Sequence, residues 1–325
     1  MIKKLKDKIT NGYKITKEEA LSLYEISLYS KEKLDALCHA ANEIRKQYCG
    51  NDFDICTIIN GKCGRCSEDC KYCAQSVHYP VDTENHPLLD TEPLLDGAKY
   101  NRDKGILRYS IVTSGRTLTG NELEQLCESY NKIHANSDIA LCASHGLLTY
   151  EQFIKLKNAG VVRYHNNLET SKRNFPYICT THTYEDKISA IKAAQKAGLT
   201  VCSGGIMGLG ETMEDRISMA FDLRELDIKS VPINILNPIP HTPFENNTIL
   251  SIEEVKTIVA VFRFILPDAA LRLAGGRGLL ADKGRSVFTS GANAAISGDM
   301  LTTSGISISY DMDMIKDLGF KTSKL

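Results

Sequence analysis

Three cysteines within eight residues constrain this chain more than any other feature of its sequence. Cys66, Cys70 and Cys73 stand in the run C-S-E-D-C-K-Y-C, separated first by three residues and then by two. A fully ligated four-iron four-sulfur (4Fe-4S) cluster takes four thiolates, so three leave one iron open to a small molecule. The run therefore predicts a reaction centre rather than an electron relay. The alternative is a closed structural zinc site in which Cys63 supplies the fourth ligand.

The composition excludes several classes of partner. The 325 residues are 42% hydrophobic and 24% charged, which is ordinary for a globular protein with a large core. A formal net charge of -1 gives no electrostatic footprint for nucleic acid or an anionic membrane, and no apolar stretch is long enough to span one. The basic first residues lack the apolar run of a secretory signal, and eleven cysteines favour a reducing compartment. We therefore expect a cytoplasmic protein that binds neither nucleic acid nor membrane.

Strand-like and helix-like segments alternate along the chain. Residues 16–48 have helical apolar spacing, with Thr16 and Ser30 as candidate N-caps. The β-rich segments that follow are 53–59, 106–112, 139–142, 161–167, 200–206, 230–236, 270–274 and 292–297. Helical patterns lie between many of them, at 122–134, 150–157, 184–196, 213–226 and 252–264. Eight strands with crossover helices predict an α/β protein, a (β/α)8 TIM-type barrel with an N-terminal helical extension.

This barrel would account for most of the chain. We expect the helical extension over residues 1–50, the barrel over 51–303, and a C-terminal tail packing on the barrel over 304–325. In such barrels the chemistry occurs where the strands end, at the carboxyl face. The cysteine loop follows the first predicted strand, and Cys142 and Cys202 fall at or inside the third and fifth. The sequence therefore predicts that these thiols converge on one face.

An open iron suits one cofactor in particular. S-adenosylmethionine (SAM) can chelate iron through its amine and carboxylate, which sets its sulfonium beside the cluster for reductive cleavage to a carbon radical. That radical can take hydrogen from an unactivated C–H bond. The spacing of the three cysteines, with the aromatic Tyr72 before the last one, resembles the motif of the radical SAM enzymes.

The resemblance narrows to one family within this superfamily. The blocks that carry it are C-K-Y-C-A-Q-S at 70–76, Y-H-N-N-L-E-T at 164–170, V-C-S-G-G-I-M-G-L-G-E-T at 201–212, V-P-I-N at 231–234 and R-L-A-G-G-R at 272–277. In this order and at these intervals they resemble the biotin synthases, over about residues 35–303. The resemblance implies radical insertion of sulfur into dethiobiotin, the last step of biotin biosynthesis. Its implied reagents are 5′-deoxyadenosyl radicals from SAM and sulfide from an auxiliary iron–sulfur cluster.

The resemblance also assigns roles to individual residues. It implies that Cys66, Cys70 and Cys73 hold the 4Fe-4S cluster and that Tyr72 lies near the adenine of SAM. It also implies that Asn167 and Asn234 contact the ureido ring and nearby cofactor groups and that Glu169 contacts the ribose hydroxyls. Lys187 would lie near the cofactor, at a position where family members often have arginine. Local roles remain open for several of these, because asparagines commonly occur in turns and a glutamate can serve the first turn of a helix.

The predicted auxiliary cluster departs from the family pattern. Family members usually hold it with three cysteines and an arginine, and Cys142, Cys202 and Arg272 match three of those positions. The fourth is Ser110, whose hydroxyl is a poor substitute for a soft thiolate. We therefore hypothesise that Cys63 completes the set, so that the cluster is either 2Fe-2S or a variant. The alternatives are that Cys63 is a spare thiol and that Arg272 pairs with a barrel carboxylate. Cys38, Cys49, Cys56, Cys127 and Cys179 are interpreted as structural.

Partners follow from the same resemblance. It implies dethiobiotin as substrate, a low-potential electron donor such as flavodoxin or ferredoxin, and a homodimer. Two other functions stay open at this point. One is that of another radical SAM enzyme of the same branch, such as a hydrogenase maturase, and the other is that of a zinc-binding structural protein.

Overall fold

A closed ring of parallel strands forms the centre of the structure, a computed structural model that describes all 325 residues. The strands are β1 (Asp52–Lys62), β2 (Arg108–Thr113), β3 (Ala140–Ser144), β4 (Val161–His165), β5 (Thr200–Cys202), β6 (Gly205–Met207), β7 (Ser230–Ile235), β8 (Ala270–Leu273), β9 (Ala294–Ile296) and β10 (Lys321–Thr322). The helices are α1 (Ile2–Ile9), α2 (Lys17–Ser27), α3 (Lys31–Cys49), α4 (Thr91–Asp103), α5 (Gly120–Asn136), α6 (Tyr150–Asn158), α7 (Phe175–Ile178), α8 (Tyr184–Lys196), α9 (Met213–Glu225), α10 (Ile252–Ile265), α11 (Arg285–Phe288) and α12 (Ile308–Asp317).

The barrel has eight strand positions because the short strands β5 and β6 together occupy one of them. Each strand from β1 to β5 pairs in parallel with the next, β7 pairs with both β5 and β6, and β9 pairs with β1 to close the barrel. The predicted (β/α)8 barrel is confirmed, and all eight predicted strands are present. The one difference is the fifth segment, which breaks at Ser203 and Gly204 into two short strands.

Side-chain alternation along β1 determines what faces the barrel interior. Successive residues of a strand point to opposite sides. Asp54 and Cys56 point into the barrel, whereas Phe53 and Ile55 point outward into the fully buried core beneath the helices. The same alternation on the other strands lines the interior with polar and sulfur-bearing side chains.

Four of the crossover helices begin in the same way. The N-cap threonine of each accepts a hydrogen bond from the third residue of the helix, whose side chain accepts one from the threonine N–H in return. These capping boxes pair Thr119 with Glu122, Thr149 with Gln152, Thr183 with Asp186, and Thr212 with Asp215. Each capping box satisfies orphan N–H groups and fixes where the chain turns from a barrel loop into its helix.

Segments outside the barrel pack against its flank and its amino-terminal end. The helical extension consists of α1, α2 and α3, in which Thr16 and Ser30 are the N-caps of α2 and α3 as predicted. Helices α2 and α3 pack against α9 and α10. At the other end of the chain, β10 adds to β1, and a buried ion pair of 2.6 Å between Arg277 and Asp311 attaches α12 to the barrel. None of the helices combines the length and apolar character needed to cross a membrane.

Candidate active site

A cavity of about 400 Å³ opens at the carboxyl face of the barrel. Its walls bring together most of the residues that the sequence singled out. They are Tyr72, Ser110, Cys142, His165, Asn167, Glu169, Lys187, Cys202, Asn234 and Arg272. This volume suits small-molecule ligands. The predicted convergence of the motifs on one face is therefore observed.

The floor of the cavity is a buried carboxylate surrounded by three guanidinium groups. Asp54 is fully buried and lies 3.0 Å from Arg108, 3.1 Å from Arg163 and 3.1 Å from Arg272. Burial alone would raise the pKa of Asp54, but the charges of Arg272, Arg108 and Arg163 outweigh it and hold that pKa below its usual value. The carboxylate is therefore ionised and the floor carries a net positive charge, which suits anionic sulfur ligands in the layer above.

Three thiols form that layer. Cys142 and Cys202 lie where they were predicted, and the third thiol is Cys56 from β1. The Nη1 group of Arg272 donates to the Sγ atom of Cys56 at 3.2 Å, while its Nη2 group contacts Asp54. Burial raises the pKa of Cys56 to about 12 and also raises that of Cys142. These thiols would therefore lose their protons on binding a metal, as thiolate ligands do.

The structure does not place Cys63 in this cavity. Its backbone instead pairs with that of His86 beyond the end of the barrel interior, and its thiol lies near Cys73 of the cysteine loop. The structure therefore leaves Cys63, the predicted third ligand, outside the cavity and places Cys56, which was interpreted as structural, inside it. The reason is geometric, because Cys56 occupies an inward-facing position within β1 whereas Cys63 comes after the strand has ended.

Cys202 differs electrostatically from its two neighbours. Burial alone would raise its pKa, but a hydrogen bond from His165 and the charges of Arg272 and Arg163 lower it to about 6. The Oγ atom of Ser230 also donates to its sulfur at 3.3 Å. Cys202 is therefore the thiol of this layer that is most readily present as a thiolate near neutral pH.

The cysteine loop lies above the cavity and is held by backbone hydrogen bonds. Cys66 bonds to Gln75 at 2.9 Å, Cys73 bonds to Cys70 at 3.0 Å, and Lys71 bonds across to Ile178 at 2.9 Å. The three thiols are partly buried, and burial raises the pKa of Cys73 to about 11. Three soft donors on one short ordered loop fit an iron–sulfur cluster. Tyr72, from the same loop, lines the cavity below.

Two asparagines connect the strand ends around a pair of glycines. Asn167 accepts a hydrogen bond from the Gly204 N–H at 3.1 Å, and Asn234 donates to the Gly205 carbonyl at 3.1 Å. Asn234 also accepts from the Gly275 N–H at 2.9 Å. Both side chains line the cavity, and each amide retains hydrogen-bonding capacity beyond these contacts, because an amide offers two N–H groups and two lone pairs.

Glu169 has a backbone conformation that is unusual for its residue type. Its φ of 71° lies in the left-handed region, which non-glycine residues seldom adopt. Backbone bonds hold it there, from its N–H to Gly204 at 3.0 Å and from the N–H of Ile206 to its carbonyl at 2.8 Å. The alternative, a glutamate in the first turn of a helix, does not apply. Such a conformation often marks a functional position.

Gly204 supports a prediction about stability. A Cβ atom built on it would lie 1.9 Å from the carbonyl oxygen of Pro232, which is backbone and cannot move aside easily. We expect Gly204→Ala to lower the free energy of unfolding by about 1–3 kcal/mol through overpacking, measured by urea unfolding. Gly120→Ala is the control, since nothing lies within 4 Å of its Cβ, and it should be neutral or slightly stabilising. Equal effects from both substitutions would contradict the steric argument.

One group beside the loop was missed by the sequence interpretation. Cys179 and His182 lie next to Cys70, more than 100 positions away along the chain, and their donor atoms lie within 4.8 Å of its sulfur. The hydrogen bond with Cys70 lowers the pKa of Cys179. Nothing in the spacing of the sequence indicates this contact.

Comparison with known proteins agrees with the geometry. Residues 62–223 match the model of the radical SAM superfamily, and residues 232–321 match the biotin and thiamin synthesis associated domain. The fold and the cysteine loop thus define a radical SAM enzyme. At full length, the chain is 57% identical to a biotin synthase of Brachyspira hyodysenteriae, with 98% of this chain and 93% of the relative covered, and 57% identical to one of Clostridium botulinum, with 99% of each covered. The chain belongs to the biotin synthase family.

Solved structures confirm the fold. A methylornithine synthase superimposes with a TM-score of 0.83 at 19% identity, over 98% of this chain and 97% of the other. The FeFe-hydrogenase maturase of Carboxydothermus hydrogenoformans gives 0.83 at 19%, over 99% and 79%. The predicted biotin synthase function is confirmed by the full-length relatives, as are the predicted 4Fe-4S cluster, SAM and an auxiliary iron–sulfur cluster as cofactors. The zinc-protein and maturase alternatives are thereby set aside.

Proposed function

We propose that this chain inserts sulfur into dethiobiotin within the barrel cavity. The observation that carries the proposal is that one chamber is lined by Tyr72 of the cysteine loop at its mouth and by Cys56, Cys142 and Cys202 near its floor. A substrate between these levels would be within reach of both. The cavity volume and its mixture of apolar walls and amide groups suit a small ureido compound with an aliphatic chain.

We assign two sets of metal ligands. Cys66, Cys70 and Cys73 would hold the 4Fe-4S cluster. Cys142, Cys202 and Arg272 would hold the auxiliary cluster, with Cys56 in place of Cys63 as the third thiolate. Guanidinium is an unusual metal ligand because it resists deprotonation. The 3.2 Å contact of Arg272 with Cys56 supports at least a role in charge balance and orientation.

The chemistry of the bound groups is that of their class: the 4Fe-4S cluster supplies the electron that cleaves SAM, and the auxiliary cluster supplies sulfur. The chain binds and orients the reactants. Asn167 and Asn234 would present amide donors and acceptors to the ureido ring and nearby cofactor groups, and Glu169 would accept from the ribose hydroxyls. Their backbone hydrogen bonds fix these side chains before ligands arrive, which reduces the entropy lost on binding.

Lys187 supplies a positive charge at the cavity wall. Its Nζ atom donates to Asn166 at 3.1 Å, and a second N–H group remains for the carboxylate of SAM. We expect Lys187→Ala to raise the dissociation constant of SAM by about tenfold or more, because a hydrogen bond between charged groups contributes roughly 1.5–3 kcal/mol. Equilibrium dialysis with the reconstituted protein measures this. Lys187→Arg should bind SAM within a few-fold of wild type, and equal losses in both variants would contradict a charge contact.

The domain boundaries, the electron donor, the cellular location and the oligomeric state form part of the same proposal. We propose division of the chain into a helical extension (1–50), the barrel (51–303) and a tail that packs on it (304–325). The position of α1, α2 and α3 before β1 and of β10 beside β1 supports these boundaries. A low-potential flavodoxin or ferredoxin would reduce the 4Fe-4S cluster, and the enzyme would work as a cytoplasmic homodimer.

An anaerobic assay tests the proposed function. Reconstituted protein is incubated with dethiobiotin, SAM and a low-potential reductant, and both biotin and 5′-deoxyadenosine are quantified. We expect both products. Formation of 5′-deoxyadenosine without biotin would overturn the assignment of dethiobiotin as substrate, while retaining a radical SAM enzyme.

A further inference from the structure

A second cluster of metal-binding side chains lies beneath the cysteine loop. Cys179 follows α7 and His182 precedes the N-cap of α8, and their donor atoms lie within 4.8 Å of the Cys70 sulfur. Cys179 is 2% exposed and His182 is 7% exposed. Cys179 and His182 lie outside the cavity and play no part in the proposed reaction.

The distances are those of a metal site. The sulfur atoms of Cys70 and Cys179 are 3.8 Å apart, and the Cys179 sulfur is 3.3 Å from Nδ1 and 3.8 Å from Nε2 of His182. Two thiolates bound to a tetrahedral zinc at about 2.3 Å each would be separated by about 3.8 Å. The two sulfurs thus have the spacing of two corners of a tetrahedron, and the imidazole donor lies within 4.8 Å of both.

Neighbouring carboxylates hold the two buried side chains in place. Glu68, which is buried, lies 2.5 Å from Nδ1 of His182 and holds the imidazole beside the Cys179 sulfur. A carboxylate that orients a ligating histidine in this way is a common feature of zinc sites. Asp69 lies 3.2 Å from the Cys179 sulfur and is fixed by the N–H groups of Thr180 and Thr181.

We propose that the cluster-free chain binds one thiophilic divalent cation, zinc(II) or iron(II), through Cys70, Cys179 and His182. The two thiols release their protons to solvent when the cation binds, and no electron is transferred. Because Cys70 is also an assigned ligand of the 4Fe-4S cluster, the cation and the cluster exclude each other. The site therefore competes with cluster assembly when the cation is zinc. Only this mutual exclusion rests on the proposed function, through the assignment of Cys70 to the 4Fe-4S cluster.

Cobalt(II) titration of the iron-free protein under anaerobic conditions tests the site. Cobalt bound to thiolates gives charge-transfer and visible bands, from which stoichiometry and affinity are obtained. We expect Cys179→Ser and His182→Asn each to weaken binding by about 100-fold or more, and Glu68→Gln by about 10–100-fold. Cys127→Ser is the matched control on α5 and should bind like wild type.

Variants of the cysteine loop locate the cation. Cys66→Ser and Cys73→Ser should bind cobalt like wild type if the proposed site holds it. Cobalt binding that is lost in these two variants would place the ion on the loop cysteines and overturn the proposal, whether or not Cys179→Ser also loses it. Wild-type binding by Cys179→Ser and His182→Asn would overturn it too. Circular dichroism of each variant excludes unfolding as the cause of a loss.

A second experiment tests the exclusion. Iron and sulfide are added to wild-type protein preloaded with one equivalent of zinc, and the absorbance of the cluster near about 400 nm is followed. Zinc should slow cluster assembly in the wild type but not in His182→Asn. Equal slowing in both would contradict competition at this site. Neither experiment depends on biotin formation, so failure of the proposed metal site would be distinguishable from failure of the proposed function.

Discussion

Replacement of Cys56 by alanine is expected to remove the auxiliary cluster while the 4Fe-4S cluster is retained. Cys56 is the third thiol of the layer formed with Cys142 and Cys202, and it contacts Arg272 at 3.2 Å. Without it, two thiols and a guanidinium remain, which is a poor ligand set for iron and sulfide. Iron per chain should fall to about four after anaerobic reconstitution, and biotin formation should be lost while SAM cleavage continues.

Cys63→Ala is the matched control for this substitution. Cys56 is a partly buried cysteine of the first strand and Cys63 a buried one just after its end, but Cys63 lies away from the cavity. We expect its iron content and biotin yield to equal those of the wild type. If Cys63→Ala loses the auxiliary iron and Cys56→Ala keeps it, the assignment of Cys56 is wrong and the sequence-based hypothesis for Cys63 is restored. Mössbauer spectra separate the two clusters in either case.

The choice between these two cysteines shows where interpretation of the sequence reached its limit. Ser110 predicted an auxiliary site that departs from the family pattern. Finding its replacement required the direction of each side chain in β1 and the closure of the barrel. In the structure Ile58 is the register partner of Ser110 and Cys56 the partner of Arg108, so Cys56 lies one inward-facing position deeper. Alternation along β1, counted from Asp54, would have identified Cys56, whereas proximity to the loop favoured Cys63.

Most of the fold could be predicted because the sequence patterns that indicate its helices and strands are local. Each of the eight predicted strands is present, and the helices α5, α6, α8, α9 and α10 lie within two residues of their predicted bounds. The helices α4 and α12 were missed. In α4 a proline and a glycine interrupt the helical pattern of a short segment, although both are tolerated here. The fifth strand position breaks at Gly204, where the chain closely approaches the Pro232 carbonyl of a neighbouring strand, and such a tertiary contact has no local sequence pattern.

Contacts between distant segments account for the remaining differences. The amides of Asn167 and Asn234 and the thiols of Cys142 and Cys202 belong to motifs that could be recognised along the chain. The contact between Cys70 and Cys179 joins segments 109 positions apart, and no periodicity or spacing encodes it. The ring around Asp54 likewise combines residues of four strands, each of which is an ordinary buried charge when considered alone.

Asp54→Asn is expected to have the largest effect on stability of any single substitution at the barrel floor. Arg108, Arg163 and Arg272 all face this carboxylate, and the side chain of Arg272 is 2% exposed. Removal of the negative charge leaves three guanidinium groups in mutual repulsion with little access to water. Loss of one partner from a buried ion pair lowers the free energy of unfolding by about 3–5 kcal/mol. Urea unfolding under anaerobic conditions measures the difference. Asp317→Asn, in an exposed pair with Arg285, should change it by less than about 1 kcal/mol.

The pH dependence of this difference tests the electrostatic cause. Despite its burial, Asp54 has a pKa held below the ordinary value by Arg272, Arg108 and Arg163. Its ionised form therefore stabilises the folded chain fully above the unfolded pKa of about 3.9, and this contribution declines as the pH falls toward the lower folded pKa. The difference between wild type and Asp54→Asn should be constant from pH 7 to about pH 5 and should shrink below about pH 4. A difference that stays unchanged into that acidic range would instead indicate that the carboxylate acts through packing or neutral hydrogen bonds, and that the positive floor beneath the thiols does not depend on its charge.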